Sequence, residues 1–460
     1  MKKFVQIAAG VLIAGAAASV GLACCGADGA LDFMKYYAAI GTIGAAAVGC
    51  LAAFVSRMVR RSPALIALHL GLALVLGGWV YNELAGPRGG DLYLCPGQAG
   101  RVAEKEDAPP TEGFVLEVKD FTIDYWNDTG TVRQYVCKAS VESTDADGTT
   151  FAEPTTISVN HPLVKDGWWV YQSSYGQMTN PHTGELVFLP SGEPRYYTVL
   201  QCVKDIGLPY VALGGLLLVL GAFLYQFRLL AVTRHLVPAA GEPCSRATRL
   251  VLVLYGLLLA GTVSMLVHRA LVTGHPPLQN MYEFLMCAAV FIPLRTFCGL
   301  RRSTERDRVR TLLVDAALET LVLMPVCFFM DGRVKHLMPA LQSPFFIPHV
   351  GAYVIGYIFL VRAALGVGVR TVATGFFLLT LGLVLGAAWG KVCWGHWWQF
   401  DPKEMWSLAT WLVYAAYFHL RPRLSARAER AFLIAGAVMV VLTLTWINLS
   451  RLFTGMHSYA

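Results

Sequence analysis

Four of the eleven histidines fall within or at the ends of long apolar runs. An ionisable side chain is costly in such a setting and is a functional candidate by default. His69 lies a few residues inside one run. His419 closes another in Tyr417-Phe-His-Leu-Arg421. His349 opens a third in Phe346-Ile-Pro-His-Val350, and His457 follows the last in Gly455-Met-His-Ser-Tyr459. Neutral imidazole is a common ligand of haem iron, which accepts two axial ligands. On the topology below, His69 and His419 share an inner depth and His349 and His457 an outer one, so each pair could hold one iron. The plainer reading of any single one is a helix-end histidine bonded to a backbone carbonyl. Depth pairing weighs against that reading without deciding it.

A second cluster precedes the run that His419 closes. It reads Trp389-Gly-Lys-Val-Cys-Trp394-Gly395-His396-Trp397-Trp398-Gln399-Phe400-Asp401-Pro402-Lys403-Glu404-Met405-Trp406. Tryptophan is ordinary at a membrane interface, but this density exceeds an aromatic belt. Flat rings can hold a flat apolar macrocycle by stacking and area burial, and Gly395 would let it approach the backbone. Lys391 and Lys403 either meet carboxylates such as propionates or are solvated. Asp401-Pro402 is a helix start.

The elements that must carry these residues are membrane spans. Of 460 residues, 55% are hydrophobic and only 15% charged, where soluble domains carry about 25%; mean hydropathy is +0.51. Apolar runs near the length that crosses a bilayer give about eleven spans: roughly 4–25, 34–56, 64–84, 207–229, 249–271, 279–299, 311–330, 346–366, 371–391, 405–421 and 431–450. With Lys2 and Lys3 inside, the loops holding Arg57/Arg60/Arg61, Arg228/Arg234/Arg246, Arg301/Arg302/Arg306/Arg308/Arg310, Arg362/Arg370 and Arg421/Arg423/Arg427/Arg430 all fall on the same side. That agreement sets a cytoplasmic N-terminus and an outer C-terminus. The first run resembles a signal peptide, and the charge pattern favours an uncleaved helix. The net charge of +7 belongs to these loops and is no nucleic-acid signature.

Residues 86–206 then lie outside. They hold nine Lys and Arg against seventeen Asp and Glu. Alternation such as Phe114-Val-Leu-Glu-Val-Lys-Asp-Phe-Thr-Ile-Asp-Tyr125, broken by turns at Asn127-Asp-Thr-Gly and Asp145-Ala-Asp-Gly, predicts a small β-rich domain. Cys95, Cys137 and Cys202 fall in it, and their pairing, if any, is not readable. The expected fold is an all-α polytopic membrane protein with one β-rich extracytoplasmic domain. It divides into 1–85 with three spans, 86–206, 207–247 with the fourth span and a cytoplasmic linker, and 248–460 with seven spans.

The tryptophan cluster resembles the WWD domain of haem-handling proteins. Gly274-His-Pro-Pro-Leu-Gln-Asn-Met-Tyr-Glu283, Pro339-Ala-Leu-Gln-Ser343 with His349-Val350, Leu420-Arg421 after His419, and Met456-His457-Ser458-Tyr459 resemble one branch, the system II cytochrome c synthases. Val159-Asn-His-Pro-Leu163 and Trp169-Val-Tyr-Gln-Ser-Ser-Tyr-Gly176 resemble the partner subunit of that system, with His69 where its transmembrane histidine is expected. The two subunits look fused near 230–247, as in the CcsBA (ResB/ResC-like) type. Phe400 stands where the family usually has a third Trp, which keeps stacking and removes one indole N–H.

The resemblance implies a route. Haem b, substrate and bound ligand at once, enters at His69 and His419. It moves to an external site with His349 and His457 as axial ligands. Trp394, Gly395, Trp397, Trp398, Phe400, Asp401 and Trp406 bound that site. There it joins an apocytochrome c bearing CxxCH through thioethers, in the cytoplasmic (inner) membrane, with a thioredoxin-like thiol reductant as a further partner. No residue acts as a covalent nucleophile, and the work is positioning. Two other classes fit some of the residues: a bis-His di-haem electron-transfer protein, and a haem-free assembly scaffold. Among the remaining histidines, His161 is expected to be structural and His182 and His336 solvated, while His268 and His275 flank one outer loop that His275-Pro276-Pro277 is expected to shape rather than to make a binding site. Glu283, Asp315 and Glu319 either pair with arginines or line a path.

Overall fold

The computed structural model describes residue 49 and residues 62–449, apart from 88, 105–112, 127–129, 145–149, 181–182, 184, 189, 191, 193, 233–242 and 301–302. The expected span at 4–25, that at 34–56 apart from residue 49, His182 and His457 lie outside the described residues.

Helix α1 (Pro63–Ala85) leads into eight strands, β1 (Asp91–Leu94), β2 (Ala99–Val102), β3 (Phe114–Tyr125), β4 (Val132–Thr144), β5 (Thr150–Ser158), β6 (Leu163–Lys165), β7 (Trp168–Gln177) and β8 (Tyr196–Lys204). Eight further long helices follow: α2 (Leu208–Val232), α3 (Arg246–Thr273), α4 (Met281–Leu300), α5 (Glu305–Phe328), α6 (Phe346–Ala364), α7 (Val372–Trp394), α8 (Pro402–Leu420) and α9 (Ala426–Leu449). Eight helices in this set are long and apolar enough to cross a membrane. The exception is α8, which opens on Lys403 and Glu404 and holds polar residues along its length. The protein is thus mostly helical, with a separate β region.

The strands form two four-stranded antiparallel sheets, ordered β1-β8-β7-β6 and β2-β3-β4-β5. Strand β3 shows why. Phe114, Leu116 and Val118 alternate inward and meet Ala139 and Val141 of β4, Ile157 of β5, and Trp168, Val170 and Leu200 of the other sheet. Two sheets, each apolar on one face, bury those faces together. Cys137 and Cys202 sit unbridged in this core.

The sandwich is an insertion between α1 and α2, which run back along each other. Small residues let the two backbones meet: a Cβ at Gly71 would lie 2.7 Å from the Gly214 carbonyl oxygen, and one at Gly214 would lie 2.6 Å from the Val75 nitrogen. Such contacts replace the hydrophobic drive that lipid removes. Helix α2 continues the packing onto α7, α7 onto α6, and α9 onto α6 and α8. Tyr353, Tyr357, Phe376, Trp411, Tyr414 and Tyr417 fill this core. Helix α3 is the most open, with Leu250, Leu254, Leu257 and Leu271 facing outward, as a lipid-facing helix would.

Candidate functional site

His69 lies on α1, at the end of the bundle away from the sandwich, and His419 in the last turn of α8. Helices distant in sequence bring the two rings together, with centroids 5.9 Å apart and planes at 77°. His69 Nδ1 donates to the Leu65 carbonyl at 2.8 Å, and His419 Nδ1 to the Ala415 carbonyl at 2.7 Å. A carbonyl can only accept, so Nδ1 holds the proton and the lone pair is on Nε2 in both rings. A backbone bond of this kind commonly orients a ligating histidine. With a metal–imidazole bond of about 2 Å, two axial rings on one iron have centroids about 6 Å apart. The pair fits that spacing.

His349 sits one turn into α6, at the sandwich end. Its Nδ1 donates to the Gly382 carbonyl of α7 at 2.8 Å, which again leaves the lone pair on Nε2. Its ring contacts Tyr353 at 5.0 Å and Trp389 at 5.7 Å. Opposite it, a Cβ at Gly386 would lie 2.5 Å from His349 Cε1, so glycine there makes room for the ring.

The tryptophan loop begins at the C-terminus of α7. Trp389 stacks on Trp394 at 5.9 Å and 28°, and its indole N–H donates to the Ala340 carbonyl. Gly395 ends the helix at φ 84°, a conformation that favours glycine. A Cβ there would lie 3.0 Å from Tyr171 Cε2, so what approaches this backbone closely is the sandwich. Trp397 donates to Asp205 Oδ2 at 2.9 Å. Trp398 and Trp406 are half-buried, while Phe400 is 42% exposed with its ring 6.2 Å from Trp79. Asp401 caps α8: its side chain accepts from the Lys403 N–H, and Glu404 reaches back to the Asp401 N–H. This reciprocal capping box turns the loop into the helix that carries His419.

Lys391 is neither solvated nor available to a propionate. It is 2% exposed, pairs with Asp205 Oδ2 at 3.0 Å, donates to the Gly395 carbonyl and lies 5.7 Å over the Trp169 ring. Asp205, just past β8, therefore ties the sandwich to the loop through two donors. A second tie reaches the segment before His349. The Asn160 amide donates to the carbonyls of Pro339, Ala340 and Gln342 at 2.9, 3.2 and 3.1 Å. The Trp126 indole donates to Leu337, and the Gln342 amide donates back to the Arg133 carbonyl. His336, expected to be solvated, stacks on Trp126 at 5.0 Å and 12°.

Sequence reasoning passed over Asp205, Asn160 and Trp126 as site residues. Asn160 stood in a quoted motif, beside the histidine that drew attention; Asp205 has no local signal at all. Among the described residues no group of three or more His, Cys, Asp or Glu could hold a bare metal ion.

Residues 366–457 match the cytochrome c assembly protein family, and residues 59–193 match the ResB-like family. The chain joins a ResB-like part to a cytochrome c assembly part. It is similar to the cytochrome c biogenesis protein CcsA of Prochlorococcus marinus strain MIT 9303, at 28% identity over 54% of this chain and 95% of the relative. The CcsA of Prochlorococcus marinus subsp. pastoris is 27% identical over 52% of this chain and 91% of the relative. That of Synechococcus sp. strain RCC307 is 28% identical over 53% and 94%. The chain is a multi-pass membrane protein with a role in cytochrome c biogenesis. Its ResB-like part carries His69 and Asn160, and its assembly part carries His419, Lys391 and the tryptophan loop.

Proposed function

We propose that this chain takes up haem b at the His69–His419 pair, passes it to a station formed by His349 and His457 beside the tryptophan loop, and attaches it to CxxCH motifs of apocytochromes c. The N-terminus and the His69 end face the cytoplasm of an inner membrane, and the sandwich and C-terminus face outward. The division at residues 85, 206 and 247 separates the anchoring spans, the outer sandwich, the linker and the haem-handling WWD bundle.

The observation that carries this reading is the inner pair. Two imidazoles, from the two family-matched regions, stand at axial spacing with both Nδ1 atoms committed to carbonyls. At the outer station the client's cysteines react as thiols. Each S–H adds across one haem vinyl C=C: a C–S bond forms, the thiol proton ends on the neighbouring carbon, and no net oxidation occurs. A thioredoxin-like partner supplies the reduced client. The contribution of this chain is to hold vinyl carbons beside thiols, which makes a bimolecular step effectively intramolecular. Trp394, Trp397, Trp398, Phe400 and Trp406 form the wall, and Gly395 and Asp401 set the loop's ends.

The test is co-expression with a CxxCH apocytochrome in a host stripped of its own maturation system, followed by haem staining of the denatured client. A stained client, lost with His349→Ala and with His69→Ala, is the expected result. An unstained client beside a protein with permanent bis-His haem would replace this reading with membrane electron transfer. No haem on either would leave an assembly scaffold.

A further inference from the structure

Two pairs of opposite charges buried in the bundle are matched. Arg269 of α3 donates to Glu283 of α4 at 2.6 Å. Arg362 of α6 pairs with Asp315 of α5, which also accepts from the Thr296 hydroxyl of α4. Glu319 stands one turn further along α5, on the same face as Asp315. It is 3% exposed, and neither of its carboxyl oxygens has a hydrogen-bond partner. The charged and titratable groups facing this region are Tyr255 on α3, Arg295 on α4, Asp315 on α5 and Arg362 on α6. The Tyr255 hydroxyl is itself buried without a partner.

The contrast between the two acids of α5 is informative. Asp315 holds helices together through two donors. Glu319 bonds nothing, so it adds nothing to the packing that an aliphatic side chain would not. An ionised carboxylate buried without a partner in a membrane-spanning bundle is prohibitively costly, so the group is held as the neutral acid. The one nearby anion, Asp315, is already balanced by Arg362. Glu319 is therefore the carboxyl group of this cluster whose charge can change without breaking an ion pair.

We propose that Glu319, enclosed with Tyr255 and the Asp315–Arg362 pair, is an intramembrane proton-binding site: a neutral carboxylic acid that exchanges its proton with water through this cluster. The ligand is the proton itself. The inference rests on side-chain geometry in the bundle and is independent of whether haem is the cargo.

Infrared spectroscopy of the purified full chain at neutral pH, in water and in heavy water, tests it without haem or client. The expected result is a protonated-carboxyl C=O band that shifts on transfer to heavy water and is missing from Glu319→Gln, while Asp315→Asn retains it. Either the same band in Glu319→Gln or a Glu319 band that does not shift in heavy water would overturn the proposal. Should Glu319→Gln fail to accumulate, Glu319→Asp keeps the acid and must move the band; an unmoved band overturns the proposal equally.

Discussion

His349 is held from two sides by α7: its Nδ1 donates to the Gly382 carbonyl, and Gly386 leaves room for its ring. Gly386→Ala puts a methyl into that ring while leaving the helix a better helix former. A displacement of about 1 Å can cost about 10²-fold in a positioned reaction. The expected outcome is loss of client haem by that order with little change in thermal stability; unchanged client staining would show that the ring does not need this seat. The Asp205–Lys391 pair behaves differently, because both partners are nearly inaccessible. Asp205→Ala strands a buried ammonium and should cost about 3–5 kcal/mol. Adding Lys391→Met removes the stranded charge and should recover most of that loss, read as thermal unfolding of the single and double variants. Equal instability of the two would mean that the pair is not the source.

At the scale of elements, the segment 336–342 has no regular structure beyond one short turn, Pro339–Leu341. Its position comes from the sandwich, because Asn160 spends one amide on three of its carbonyls. Asn160→Ala should cost about 1–3 kcal/mol locally and raise amide hydrogen exchange in 336–342 while the spans stay protected. The sandwich itself offers a chemical check. Burial pushes the Cys137 and Cys202 thiols up to about 12, so at mildly alkaline pH they stay protonated and inert. An alkylating reagent should label half-exposed Cys95 in the native protein and these two only after unfolding. Labelling of Cys137 without unfolding would contradict the packed core. The alternation that fills this core was readable in β3 because one face of each sheet is buried, so period two survives in the sequence. Eight of the expected spans were readable because lipid demands unbroken apolar length. Helix α8 was placed by its Asp401-Pro402 start and its closing histidine. The ties at Asp205 and Asn160 were not readable, since each is a single polar residue whose partner lies more than 170 positions away. Lys391 was misjudged for the same reason: its neighbours in sequence give no hint of Asp205.

On the scale of the whole molecule, the two family-matched regions meet at both ends of the bundle. At the sandwich end they meet through Tyr171, against the Gly395 backbone, and Trp169, under the Lys391 ammonium. At the far end they meet through His69 and His419 alone among the ring contacts between α1 and α8. If both rings ligate one iron, the cargo is also a cross-link between the two parts. A ligand that binds only the joined form stabilises it by mass action, by about 2.7 kcal/mol at a hundred times its dissociation constant. Cutting the chain between α2 and α3 should then yield two pieces whose co-purification strengthens with haem, an increment that His69→Ala abolishes. Equal recovery with and without haem would separate ligation from assembly. Where such fusion is absent, the same iron would act as a quality signal: two separate proteins would hold each other firmly only when there is something to deliver.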